Sequence, residues 1–267
     1  MKYFDKKNNC LVFINTEASA DFWDAHWESD HLLTEIKNGK NDRFISKITK
    51  NFIPIPKNKR ILEGGCGKGQ FVYSLQLNGY DAYGIDYARK TIEKINKIMP
   101  RLKVSYGNVE KLDFPDNFFD GYWSLGVIEH FFDSYAKIAS EMRRVIKPGG
   151  YLFLTFPYMS PLRKFKAKHG KYPKFQENNF NKETFYQFAL DHKKVIEKFE
   201  LSGFSLVSKK PFDGIKGLKD EVNFMKNPLQ KIYDSRNIFC KIISFSISKF
   251  FYSFSSHSIL LVFKKND

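Results

Sequence analysis

Four glycines fall within six positions, 64–69, directly behind a short apolar strand expected at 60–63. Glycine takes positive φ without strain and lets the main chain approach a ligand with no Cβ in the way. The run reads Glu63-x-Gly65-x-Gly67-x-Gly69. A dinucleotide fingerprint would read G-x-G-x-x-G, but Gln70 stands where the third glycine belongs when counted from Gly65. A P-loop is excluded, because no Gly-Lys-Ser/Thr follows. Glu63, at the start of the turn, repels phosphate and suits a cationic ligand with an α-amino group.

Such a turn works at the end of a strand that feeds a helix, and the chain around it alternates that way. Strands are expected at 81–86, 102–106, 119–124 and 150–156. Helices are expected at 70–78, at 91–98 and at 135–146, closed by Gly79, Pro100 and Pro148-Gly149-Gly150 respectively. Helix-length connections between short apolar strands mean parallel pairing with helices on both faces. The fold class is therefore α/β, with ligands beyond the carboxyl ends of the strands. After Pro157 the rhythm breaks. Residues 158–184 read as an irregular insertion and 185–190 as a short strand. Asp191 is expected to cap a helix reaching Leu201, with Gly203 just past its end. Last strands are expected at 204–209 and 258–264, around a second insertion at 211–256.

The 267 residues suffice for one such domain with additions. A formal net charge of +15 points to an acidic partner: nucleic acid, an anionic membrane surface or a phosphorylated substrate. The charge is mostly lysine, thinly spread, which solubility and weak steering also explain. Cys10, Cys66 and Cys240 are far apart and outside any metal-ligand spacing, so a reducing cytoplasm is expected, without disulfides or zinc. The apolar run at 10–14 is too short for a signal-peptide core. Nothing reaches the ~18 uninterrupted apolar residues of a membrane span.

Two further strand ends add to the glycine turn. Asp86 closes the second strand, where an acidic side chain accepts from both ribose hydroxyls, and Tyr87 is placed to pack on a purine. Gly107-Asn108-Val109-Glu110 leaves the third, offering an amide and a backbone N–H to an adenine edge. Glu, Asp and Asn at three successive strand ends describe a nucleoside bearing an amino acid and no phosphate.

Over about residues 60–157 the chain resembles the class I S-adenosylmethionine-dependent methyltransferases. ILEGGCGKG is similar to the family's first motif, GIDYA to its second and GNVEKLDFPDNFFD to its third. SLGVIEHF and EMRRVIKPGGYLFLTFP resemble the fourth motif and following strand of small-molecule enzymes of the ubiquinone-biosynthesis type. The resemblance implies a Rossmann-like, seven-stranded, mostly parallel sheet, S-adenosylmethionine as cofactor and a small-molecule acceptor. It implies that Glu63 holds the methionine amino group, through water or directly, with Gly65 and Gly67 lying against the cofactor. Asp86 would bind the ribose, Asn108 and Val109 would face the adenine, and Leu125 would lie near the transferred methyl. Arg43, in NDRFI, resembles an arginine that grips the methionine carboxylate in related enzymes. Asn108 stands where Asp is commoner, keeping an acceptor without the charge. Gly126 stands where some quinone-methylating relatives carry a carboxylate, which leaves a metal site on Glu129 and His130 incomplete; no metal is expected.

The organisation implied is a helical lid at 1–58, a cofactor-binding half at 59–157 and the remaining core at 158–267, in one domain. A sulfonium is already electrophilic, so the protein's task is to align the acceptor for in-line displacement, at oxygen in most relatives of this type, and to remove its proton. His130 is the candidate base and Glu129 a candidate for substrate contact; each has a plain alternative in fastening or capping the adjoining helix. Trp23 and Trp27, at i and i+4, share one face of a lid helix. Arg163, Lys164, Lys166, Lys168, Lys171 and Lys174, among aromatic residues, suit an acidic acceptor or a solvated loop. The apolar stretch 237–254 reads as a lid packed over the acceptor pocket, with a membrane surface and a lipid-linked acceptor as the alternative. No Asn-Pro-Pro-Tyr-like motif follows the fourth strand, which counts against DNA as substrate. RNA, without a recognisable binding module, is the rival acceptor, and a partner subunit that binds cofactor without turnover is the non-enzymatic rival.

Overall fold

The computed structural model describes residues 1–14, 18–235 and 237–267, without the side chains of Asn179 and Ile238; positions 15–17 and 236 of the expected lid and second insertion lie outside it. Against the all-helical reading of 1–58, the chain opens with a hairpin in which β1 (Lys2–Asp5) pairs antiparallel with β2 (Cys10–Ile14). In its turn the Asn8 N–H donates to the Asp5 carboxylate, and Asn9 takes φ 52°, a left-handed position that Asn tolerates. Helices α1 (Ala20–Trp27), α2 (Leu32–Asn38) and α3 (Phe44–Phe52) follow.

The expected alternation comes next: β3 (Arg60–Gly64), α4 (Gln70–Leu77), β4 (Asp81–Asp86), α5 (Arg89–Ile98), β5 (Val104–Tyr106) and β6 (Phe119–Leu125). Then α6 (Ala136–Val145) runs straight into β7 (Ile146–Pro157), which absorbs the Pro-Gly-Gly expected to precede it. The insertion after β7 is not irregular throughout, since it contains α7 (Pro161–Lys168). Ser160 caps α7 by accepting from the Arg163 N–H, and proline occupies the first turn. The chain finishes with β8 (Phe185–Ala189), α8 (His192–Leu201), β9 (Phe204–Phe212), α9 (Gly214–Glu221), α10 (Lys226–Asp234), α11 (Ile238–Phe250), α12 (Tyr252–Ser255) and β10 (Ser258–Lys265). Asp191 caps α8 through the Lys193 N–H, and Gly203 follows at φ 84°.

The seven-stranded sheet has the order β5-β4-β3-β6-β7-β10-β9. Neighbours from β5 to β7 are parallel, while β10 is antiparallel to both β7 and β9. The strand expected at 185–190 joins a different sheet, β1-β2-β8. Chain order reverses at β3, with β4 and β5 laid on one side and β6 and β7 on the other. The crevice past the carboxyl ends of β3 and β6 is therefore the topological switch point.

Side chains alternate across the large sheet. Leu62, Tyr122, Leu152, Leu261 and Phe263 enter one apolar layer with Met142 of α6 and Phe199 of α8. Ile61, Trp123, Phe153, Leu260 and Val262 enter the other, with Ile36, Ile45, Val72 and Ile95 of α2 to α5. Trp123 stacks on Phe153 at 4.4 Å, and its buried indole N–H donates to the Thr49 hydroxyl at 2.9 Å.

Asp24 fastens α1 to this core. Its carboxylate accepts from the Thr91 N–H and hydroxyl, both at 2.9 Å, and from the Lys90 N–H at 3.3 Å, serving as the cap that Ala88 cannot provide for α5. Asp24→Ala is expected to cost about 1 kcal/mol and to speed amide exchange across 20–27. Unchanged exchange there would mean that α1 is held by its other contacts.

The additions around α7 and α9 meet at one buried carboxylate. Glu221 accepts from Lys2 Nζ at 2.9 Å, Arg163 Nε at 3.0 Å, Lys166 Nζ at 2.9 Å and the Tyr172 hydroxyl at 2.6 Å. Lys164 pairs with Asp191 at 3.3 Å. Arg163, Lys164 and Lys166, read from sequence as a site for an acidic acceptor or as solvated, are thus engaged by the protein's own carboxylates.

Candidate active site

A cavity of about 260 Å³ lies at the switch point. Gly65 forms its wall after β3, Asp86 and Tyr87 after β4, and residues 107–110 after β5. Leu125, Gly126 and Val127 follow from β6, with His130 and Phe131 beyond them. Trp23 and Trp27 of α1, stacked at 5.7 Å, and Ala18 complete the lining. Gly65, Gly67 and Gly69 take φ of 77°, 50° and 71°. A Cβ on Gly65 would come within 2.5 Å of Val127, and one on Gly67 within 2.9 Å of Trp27. The bare turn is therefore required by conformation and by space.

Asp86 is buried and firmly held. One carboxylate oxygen accepts from the Gly67 N–H at 2.8 Å and the other from the Ala88 N–H at 2.9 Å. Burial raises its pKa, while the N–H groups of Ala88, Gly67 and Tyr87 pull the other way. These N–H groups leave part of the carboxylate's acceptor capacity for a ligand. Glu63 is buried behind the turn, away from the cavity lining, and among the described residues its Oε2 has no hydrogen-bond partner. Burial, then the neighbouring Asp86 carboxylate, push its pKa well above the usual carboxylate range.

His130 Nδ1 lies 2.6 Å from the Tyr186 carbonyl of β8. A carbonyl only accepts, so Nδ1 carries the hydrogen and the neutral ring keeps Nε2 as an acceptor. Burial lowers its pKa to about 4. The imidazole also meets Trp23 edge to face at 5.1 Å. Glu129 is buried beside Gly126, its Oε2 unpartnered, and burial raises its pKa to about 8. It is therefore protonated at neutral pH.

Residues 62–154 match a family described as a methyltransferase domain. A probable S-adenosylmethionine-dependent methyltransferase of Mycolicibacterium smegmatis is 33% identical over 97 residues, 36% of this chain and 37% of that protein. The chain thus spans little more than a third of that relative. The demethylmenaquinone methyltransferase of Bacillus licheniformis is 26% identical over 190 residues, 62% of this chain and 79% of the relative. In fold, an S-adenosylmethionine-dependent methyltransferase from Archaeoglobus fulgidus superposes with a TM-score of 0.52 at 18% identity, covering 89% of this chain and all of that one. Residues 62–154 are thus similar to the methyltransferase domain of S-adenosylmethionine-dependent enzymes, on a fold that such enzymes share.

The cofactor of this domain is S-adenosylmethionine, and the residues present fit it. Gly65 brings bare backbone to the cavity wall, Asp86 has spare acceptor capacity there, and the unpartnered Oε2 of Glu63 behind the turn leaves an acceptor for the ligand's amino group. Of the residues expected from sequence, the methyltransferase domain brings Gly65, Asp86, Tyr87, Asn108, Val109, Leu125 and His130 to one cavity. Gly67 adjoins it through Trp27 and Asp86, while Glu63 and Glu129 stand behind the wall. Arg43 is exposed at the start of α3 and is not part of the lining. Its backbone leads into α3, whose first turn is instead capped by Asp42. Asn108 differs in detail: its Oδ1 accepts from the Glu110 N–H at 2.9 Å, so the chain itself engages the acceptor and only the NH₂ end is left over. Sequence reasoning missed Val127, Phe131 and the Tyr186 carbonyl. The first two follow the fourth strand directly and could have been read from that position. The third depends on a long-range pairing that no local signal marks.

Proposed function

We propose that the chain transfers the methyl group of S-adenosylmethionine to the oxygen of a small-molecule acceptor by in-line displacement. The reading is carried by the switch-point cavity, which has Asp86 and the bare turn on one side and His130 on the other. S-adenosylmethionine, when bound, supplies a methyl group on a cationic sulfur that departs as a neutral thioether. The chain binds and orients. Glu63, behind the turn, draws the amino group through water, Gly65 presents bare backbone to the ligand, Gly67 fixes Asp86, and Asp86 accepts from the ribose hydroxyls. Tyr87, Val109 and the Asn108 amide hold the adenine, and Leu125 borders the methyl. Arg43 is left without a role.

His130 takes the acceptor's proton at Nε2, and protonated Glu129, buried behind Gly126, supports the wall beside the acceptor. A base this weak suits an acidic hydroxyl, such as that of a phenol or quinol, better than an aliphatic alcohol. Trp23, Trp27 and Phe131 offer flat apolar walls to a ring. The likeness to a demethylmenaquinone methyltransferase supports a quinol-type acceptor, and not oxygen as the atom methylated. Turnover of a reduced, soluble demethylmenaquinone analogue is expected to rise as pH climbs through about 4, where His130 becomes a competent base, and to fall above about 8 as Glu129 ionises. His130→Gln should lower kcat about 100-fold or more with KM for S-adenosylmethionine unchanged. Glu129→Gln keeps a donor and should remove the alkaline fall. Undiminished turnover by His130→Gln would end the base assignment.

A further inference from the structure

The stretch 237–254 does not close the cavity as the packed-lid reading expected: none of its described residues lines it. Helix α11 instead lies on α9, where the Ser248 hydroxyl accepts from the Ile215 N–H at 3.3 Å and Ile247 joins a small apolar cluster with Leu162, Ile215, Leu218 and Leu229. That contact uses one face. The other carries Phe239, Ile242, Ile243 and Phe250, spaced i, i+3, i+4 and i+11, and exposed by 72%, 55%, 45% and 81%. Phe245 is also 69% exposed. Lys241 and Lys249 are exposed on the same helix and make no ion pair among the described residues. No Asp or Glu occurs anywhere between Ser235 and Lys265.

We propose that this outward face of α11 docks on an anionic lipid bilayer, with the phenylalanines and isoleucines entering the headgroup–acyl boundary and Lys241 and Lys249 meeting lipid phosphates. Apolar side chains flanked by lysines on one helix face are what interfacial binding requires. The helix has 13 residues, about 20 Å of length, against a hydrocarbon core of about 30 Å, so it lies in the surface and does not span it. A second copy of the chain is the poorer occupant, because apposing two such faces brings four lysines together with no carboxylate on either helix. The docking is independent of methyl transfer, although it would deliver a lipid-borne acceptor to the enzyme.

Co-sedimentation of the full chain with vesicles tests this. Wild type should pellet with phosphatidylcholine vesicles containing about a third phosphatidylglycerol, and much less with phosphatidylcholine alone or at high salt. Phe239→Ser, Phe245→Ser and Phe250→Ser together should reduce partition about tenfold or more. Lys241→Glu with Lys249→Glu should abolish the preference for anionic lipid. As a readout that leaves the face apolar, Phe250→Trp should shift its emission to the blue on adding anionic vesicles. Wild type remaining in the supernatant, equal binding by the triple serine variant, or an unmoved Phe250→Trp emission would overturn the proposal. So would a dimer in sedimentation that the serine substitutions convert to monomer, since a second copy would then cover the face.

Discussion

Asp86→Ala is expected to weaken S-adenosylmethionine binding about 100-fold or more, because two charge-assisted hydrogen bonds of ~1.5–3 kcal/mol each are lost. The loss has a second origin in the protein. The same carboxylate holds the Gly67 and Ala88 N–H groups, so its removal also slackens the turn against which the ligand lies. Asp86→Asn separates the two effects, since the amide oxygen can still accept from one N–H while the charge is gone; about a tenfold loss is expected for it. Calorimetric titration of S-adenosylmethionine and its demethylated product into the three proteins reads both. Unchanged affinity in Asp86→Ala would move the ribose elsewhere and sink the assignment of this cavity. The binding experiment needs no acceptor, so its outcome is independent of the acceptor class proposed above.

Glu221→Ala should destabilise the fold by about 3–5 kcal/mol, the usual cost of stripping one partner from a buried ion pair. Arg163 is fully buried, and its remaining acceptors are the carbonyls of Tyr158 and His257 and the His257 ring. For a chain of this length the midpoint of thermal unfolding should fall by roughly 6–15 °C. A pH signature accompanies it. Burial alone would raise the Glu221 pKa, but Arg163, Lys2 and the Tyr172 hydroxyl outweigh it and hold the value at about 2, against 4.5 in the unfolded chain. A depressed carboxylate stabilises the fold fully above its unfolded pKa, and that contribution drains away as pH falls from 4.5 toward 2. Melting curves from pH 7 to pH 3 should therefore slope less steeply for Glu221→Gln than for wild type. Glu221→Leu paired with Arg163→Met should recover much of the loss at neutral pH, because neither charge is then left alone. A wild-type melting point in Glu221→Ala would show that the additions are held by their apolar contacts alone.

The central sheet and its ligand edge were legible because their signals are local. Glu63 and the glycines mark where β3 ends, Asp86 marks the end of β4, and helix-length spacers force the strands between them to run parallel. The cap at Asp191 and the stop at Gly203 could be read for the same reason, since each acts within a few residues of itself. The hairpin at the start escaped notice because its strands are short and its lysines hide the alternation; the Asp5 and Asn8-Asn9 turn was the available clue. Ser160-Pro161 likewise announces α7, inside a stretch whose charge suggested a solvated loop. The Glu221 cluster had no such clue. Its partners stand between 49 and 219 residues away in sequence, and only the fold brings them together. Excess apolar residues at 237–254 were plain, but whether they turned inward or outward depended on which face met α9.

The imidazole of His130 takes its bearing from a backbone atom of β8, and β8 is laid against β2, which is laid against β1. The His130 side of the cavity is thus set from a small sheet outside the Rossmann-like core, while the Asp86 side is fixed by the core itself. The two halves of the chemistry have separate foundations. The hairpin could therefore be shifted or reshaped, and with it the angle of the His130 ring, without disturbing the strands that carry Asp86 and the glycine turn. One donor site can in this way be kept constant while the peripheral ladder is altered to suit successive acceptors.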